Sequence, residues 1–130
     1  FPGDHVMGWS TTVVSPPDGD MAEYLSSLRM LAQRDDSVFY PTHGAPIYEP
    51  QKYVRAIAVH RKLRESQILD CLDKKIDTIP EIVVLMYKGL DQRLVIAAQH
   101  SVFAHIIDLT NRGVIVSNDK MSIDASYARI

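Results

Sequence analysis

Apolar residues recur at positions 21, 24, 25, 28, 31 and 32, the three-and-four spacing that lines one face of a helix. Asp20 stands before this run with Glu23 three places on, the pairing of a capping box, so the pattern predicts a helix over residues 21–34. Asp35-Asp36-Ser37 breaks it, and Val38-Phe39-Tyr40 reads as a short strand halted by Pro41. The first twenty residues carry neither period. They form a loop rich in small and hydroxylated side chains, closed by Pro16-Pro17-Asp18-Gly19. Strand end, loop, helix, strand, loop is the local order of an α/β layer, but these pieces cannot close one. Residues 1–50 are therefore expected to expose apolar edges and to be disordered there or self-associate through them.

Pro46-Ile47-Tyr48-Glu49-Pro50 marks a boundary. From Pro50, suited to a first helical turn, a long helix is predicted to about Lys75. Its apolar positions include Tyr53, Ile57, Leu63, Ile68, Leu69 and Leu72, and His60-Arg61-Lys62-Leu63-Arg64-Glu65 forms a polar, basic flank. Thr78 is placed to cap a second helix, from Ile79 to about Lys88, ended by Gly89. A third runs over 92–112 with Leu94, Val95, Ala98, Val102, Ile106 and Leu109 on its apolar face, and Gly113 supplies the stop. Val114–Ser117, a turn at Asn118-Asp119, and residues 121–128 then read as a β-hairpin. Three helices followed by a hairpin is the winged-helix form of helix-turn-helix. The expected organisation is α+β, in two domains, residues 1–50 and 51–130.

Charge refines this picture. The chain of 130 residues has a formal net charge of -2, which does not point to nucleic acid overall. Residues 1–50 hold seven acids and two bases, while 51–75 hold seven bases and three acids, so the basic character sits on the long helix. The predicted recognition helix offers Arg93, Gln99, His100, Ser101, His105 and Arg112, cations too sparse and interleaved for strong backbone binding. A winged helix gripping nucleic acid or a protein partner is the alternative reading; a cap on a neighbouring domain is favoured. One cysteine, Cys71, rules out an intrachain disulfide and fits a reducing, cytoplasmic setting. It falls on the apolar side of the long helix, which predicts a packed thiol. No run is long enough to span a membrane.

The chemistry-bearing residues lie at two loop exits, Gly3-Asp4-His5 and Thr42-His43-Gly44. With their surroundings, Phe1-Pro2-Gly3-Asp4-His5-Val6-Met7-Gly8-Trp9-Ser10-Thr11-Thr12 and Tyr40-Pro41-Thr42-His43-Gly44-Ala45-Pro46, they resemble the second half of a metallo-β-lactamase-fold hydrolase. The glyoxalase II-like, β-lactamase-like protein 2 branch of that superfamily, which carries a C-terminal winged helix, is the nearest likeness. The resemblance implies a partial αβ/βα sandwich followed by the winged helix, and hence the C-terminal portion of a longer enzyme.

By the same resemblance Asp4 matches the carboxylate that bridges two metal ions, usually zinc though other divalent metals fit, and His43 matches the last histidine ligand. Metal-bound hydroxide would then attack an ester or thioester, with a ribonuclease-type phosphodiester as the second choice. The His-x-His-x-Asp-His run of the family has no counterpart between Phe1 and Ile130, so this portion is expected to be inactive alone. His5, Trp9, Ser10, Thr11 and Thr12 fall where the family's substrate loop runs. A nucleophilic serine is not expected there, because no base is placed for it. His60, Arg61 and Arg64 are candidates for an interdomain seam or the border of a substrate channel, with a solvated face as the simpler reading.

Overall fold

The computed structural model describes residues 1–130 throughout. In chain order it contains α1 (Met21–Ala32), α2 (Pro50–Asp73), α3 (Ile79–Met86), a 3-10 turn (Gln92–Leu94), α4 (Val95–Asn111), β1 (Ile115–Ser117) and β2 (Tyr127–Arg129). These elements form two compact units, one of Phe1–Val13 with Ala22–Lys62, the other of Val14–Met21 with Leu63–Ile130.

In the first unit α1 buries the face that its periodicity marked, with Tyr24 and Leu28 out of solvent. Val54 and Ile57 from α2, together with Val6, Phe39 and Ile47, make up the rest of its buried apolar set. The strand expected at 38–40 is reduced to one antiparallel bridge, Phe39 with Ile47. Both backbone bonds of that bridge are 2.9 Å, and Pro41 stands at the next bonded position with no N–H to donate, so the ladder does not grow on that side. Phe1, Trp9, Val13, Met30, Tyr40 and Tyr48 are exposed.

The second unit has the larger core. Ile68, Leu72, Ile79, Ile82, Val102, Ile106, Leu109, Ile115 and Tyr127 belong to one buried cluster, and each such side chain contributes about 1.5–3 kcal/mol on leaving water. α3 ends at Met86, a residue or two short of expectation, and α4 begins only after the 3-10 turn. Asp91 makes that turn: its carboxylate accepts from the Arg93 backbone N–H at 2.9 Å. Leu94, expected on the apolar face, sits on the turn and is 53% exposed. At the far end of α4 the Val114 N–H donates to the Leu109 carbonyl and the Gly113 N–H to the Thr110 carbonyl, both at 3.0 Å. This is a Schellman stop, with Gly113 at φ 72° in the left-handed region that a side chain would disfavour.

The wing differs from its expected form. β1 pairs antiparallel with β2 in the register Ile115 with Arg129, Val116 with Ala128 and Ser117 with Tyr127, so residues 118–126 are a loop and the strand expected from 121 is absent. The Tyr127 hydroxyl explains this: it donates to the Ser122 carbonyl and accepts from the Ser122 N–H at 3.2 Å, folding the loop back over its own strand. A third extended piece borders the hairpin, where Thr78 bridges Ser126 and the Tyr127 N–H donates to the Asp77 carbonyl at 3.0 Å. Thr78 occupies the N-cap position of α3 in an extended conformation without capping through its side chain. Its hydroxyl donates to Glu81 Oε2 at 2.6 Å instead.

Between residues 59 and 65 the polarity of α2 inverts. Val59 and Leu63 are 69% and 56% exposed, while Arg61 and Glu65 are buried. Leu63 is thus not the core position that its place in the pattern suggested. Cys71 is buried in the second core, and that burial pushes its thiol pKa up. The native chain is therefore expected to react with a disulfide reagent on the order of 100-fold more slowly than a free thiol, catching up only on unfolding. Prompt reaction at neutral pH would show the thiol to be accessible.

Candidate functional site

Two irregular segments of the first unit are stitched together by their backbones. The Thr42 N–H donates to the Gly3 carbonyl at 3.2 Å, and the Gly8 N–H donates to the His43 carbonyl at 2.9 Å. Between these bonds Gly8 and Gly44 touch backbone to backbone. A Cβ on Gly8 would stand 2.4 Å from the Ala45 carbonyl oxygen, and one on Gly44 would stand 2.6 Å from the Gly8 Cα. The seam closes only because both side chains are absent.

Its outcome is one pair of donors. His43 Nε2 lies 3.4 Å from Asp4 Oδ1, with side chains 56% and 64% exposed. An exposed pair of this kind adds little stability, so its closeness is a matter of placement by the backbone rather than of attraction. One carboxylate and one imidazole are not a zinc site, which takes three or four protein ligands. No group of three or more His, Cys, Asp or Glu side chains converges in the chain. The chain therefore brings together two of the donors that such a site needs and no third.

His5, adjacent in sequence, goes elsewhere. Its ring packs on Tyr24 with centroids 4.7 Å apart, its Nε2 is buried without a hydrogen-bond partner, and burial holds its pKa below the usual value. Trp9 is 73% exposed and Ser10 is exposed, while Thr11 and Thr12 are half-buried. Arg61 is not on a solvated face: its Nη2 donates to the Thr12 carbonyl and its guanidinium lies 5.3 Å from the Tyr24 ring centroid. Burial raises the Tyr24 pKa, against the opposing charge of Arg61, so the phenol stays a donor. Two roles escaped sequence reasoning, the Gly8–Gly44 contact and the hydroxyls of Tyr24 and Tyr53. Gly44, next to His43, was the one visible signal.

In the second unit Arg64 stacks on Tyr87, 4.5 Å from its centroid, and bonds Gln67 at 3.0 Å, while His60 on the first unit's stretch of α2 is exposed. The predicted recognition helix offers little to a phosphate backbone. Arg93 is paired with Asp91 at 2.8 Å, Arg112 with Glu65 and Asp108, and His105 is buried. His100 Nδ1 is hydrogen-bonded with Ser15 Oγ at 2.7 Å.

The wing and the helices before it agree with comparison to known proteins. Residues 78–124 match the Beta-lactamase associated winged helix domain. Over 116 residues the chain is 29% identical to the Beta-lactamase-like protein 2 homolog of Drosophila melanogaster, covering 87% of this chain and 38% of that protein. Over 69 residues it is 38% identical to the Atrochrysone carboxyl ACP thioesterase of Aspergillus fumigatus, covering 53% of this chain and 21% of that one. A metallo-beta-lactamase family protein from Thermus thermophilus superposes with a TM-score of 0.79 at 20% identity, covering 98% of this chain and 40% of its own. The chain thus spans well under half the length of these relatives. It has the fold of part of a metallo-β-lactamase-superfamily protein, joined to the winged helix associated with that superfamily.

Proposed function

We infer that Asp4 and His43 are two ligands of a binuclear metal centre, most commonly zinc, in a metallo-β-lactamase-superfamily hydrolase whose other ligands lie in sequence outside this chain. The observation that carries this reading is the 3.4 Å approach of His43 Nε2 to Asp4 Oδ1, held by the backbone at two loop exits far apart in sequence. The substrate class is an ester or thioester, with a phosphodiester second. The Aspergillus fumigatus relative, named for its action on an acyl carrier protein thioester, favours the thioester. The winged helix is not taken as a nucleic-acid binder, because Arg93 and Arg112 are committed to carboxylates. The 130-residue portion alone is inactive.

Metal content separates this reading from its rivals. After dialysis against a small excess of zinc, this chain should retain less than about a tenth of an equivalent, since two donors fall short of the three or four a zinc ion takes. A longer protein that includes the remaining ligands should hold up to two ions, and should lose metal and thioester hydrolysis together in Asp4→Asn or His43→Ala. Full metal content and rate in both variants would remove Asp4 and His43 from the site.

A further inference from the structure

We propose that Tyr24, Tyr53 and Arg61 are positioning residues, a three-point clamp that sets the Asp4 carboxylate against His43. The inference rests on reading Asp4 and His43 as the functional pair. Residues 1–13 contain no helix or strand, so the segment carrying Asp4 has no ladder of its own to fix it. Side chains from two helices take that part.

The Tyr24 hydroxyl on α1 donates to the His5 carbonyl at 3.1 Å. The Tyr53 hydroxyl on α2 donates to the Met7 carbonyl at 2.7 Å. Arg61, two turns further along α2, donates to the Thr12 carbonyl and lays its guanidinium on the Tyr24 ring, within the range of a cation–π contact. The His5 ring wedges against the other partner of that stack, Tyr24. Three carbonyls of one irregular segment are thereby gripped from helices that are themselves fixed by the buried Leu28, Val54 and Ile57.

The two bonds to His5 and Met7 enclose the turn just after Asp4, and the seam bond from Gly8 to the His43 carbonyl follows at once. Rotation of the 4–8 segment would move the Asp4 carboxylate off His43 without disturbing either helix. Each donor is placed where it resists that motion. A clamp of this kind preorganises a ligand at the stage of folding, so that its orientation is not left to be ordered when a ligand arrives.

The test uses the 130-residue chain and needs no metal or substrate. Tyr24→Phe with Tyr53→Phe removes two hydroxyls and leaves both rings in place. In the double variant, amide hydrogen exchange over residues 4–8 should accelerate at least about tenfold, while the amides of α3 and α4 keep their protection. The through-space NMR contact between the His43 ring and the Asp4 methylene should weaken or vanish, a signature that a general loss of stability would not produce. Tyr53→Phe alone should give a smaller change of the same pattern, which guards against misfolding of the double variant. An unchanged His43–Asp4 contact, or acceleration spread equally over α1 and α2, would overturn the clamp. Either result is independent of whether Asp4 and His43 bind metal, which the dialysis measurement decides.

Discussion

Arg112→Met is expected to destabilise the second unit by about 3 kcal/mol, because it removes the cation that two buried carboxylates share. Arg112 closes α4 and reaches Glu65 Oε2 at 2.6 Å and Asp108 Oδ2 at 3.0 Å, where both acidic side chains are only 8% exposed. Burial disfavours the guanidinium charge, but the hydrogen bond that Arg112 donates to Glu65 and the charges of Asp108 and Glu65 outweigh it, and the pKa rises. Removing the cation takes from both carboxylates a charge-assisted bond made in a medium of low polarity. The guanidinium is itself 41% exposed, which places the effect at the lower end of the range for broken buried pairs. Methionine keeps the apolar stem, so the loss reports charge rather than packing. Urea melts should show the midpoint falling with an unchanged slope. Adding Glu65→Gln and Asp108→Asn to Arg112→Met should recover most of the loss, since the charges that needed compensation are then gone. A loss below about 1 kcal/mol, the range of exposed pairs, would mean that water reaches the carboxylates.

The same stretch of α2 shows why sequence periodicity reached part of the structure and not the rest. The faces of α1 and α4 and the two ends of α2 were legible because burial there follows apolarity. At residues 59–65 it does not. Arg61 is buried by a carbonyl and an aromatic ring, Glu65 by an arginine from another helix, and neither partner is near in sequence. The second strand of the wing was expected over residues 121–128, where Met121, Ile123 and Ala125 alternate with polar residues. Alternation is a necessary mark of a half-buried strand, but it does not exclude a loop held by a single tyrosine hydroxyl, and here Tyr127 and Ser122 supply that hold.

For the site, the residue types were legible and their placement was not. Asp4 and His43 were singled out by resemblance, and the structure brings them together. His5 was placed with the substrate loop by the same resemblance. Only its packing on Tyr24 and its buried Nε2 set it apart. The clamp has no sequence signature, because a side chain that donates to a backbone carbonyl asks nothing of the residue that accepts.

Gly8→Ala is the substitution expected to disturb this site most, although it touches neither donor. The added methyl carbon would lie 2.4 Å from the Ala45 carbonyl oxygen and 2.8 Å from its nitrogen, and both obstacles are backbone. No rotamer change relieves such a contact, so one segment must move. The movement breaks the bond from the Gly8 N–H to the His43 carbonyl, and overpacking with the loss of that bond should destabilise the first unit by about 3 kcal/mol. Gly44 leaves no room for retreat: it meets Gly8 Cα at 2.6 Å from its own would-be Cβ and has φ 92°. Protection of the 4–8 and 42–45 amides should collapse while α3 and α4 are spared, and the His43–Asp4 contact should be lost. Gly89→Ala is the informative comparison, because a Cβ there meets nothing within 4 Å although its φ is 74°. It carries the strain of a left-handed residue, about 1–2 kcal/mol, without the clash. If Gly8→Ala proved no worse than Gly89→Ala, and kept the two donors in contact, the backbone seam would not be what places Asp4 beside His43. The clamp from α1 and α2 would then have to hold the pair alone.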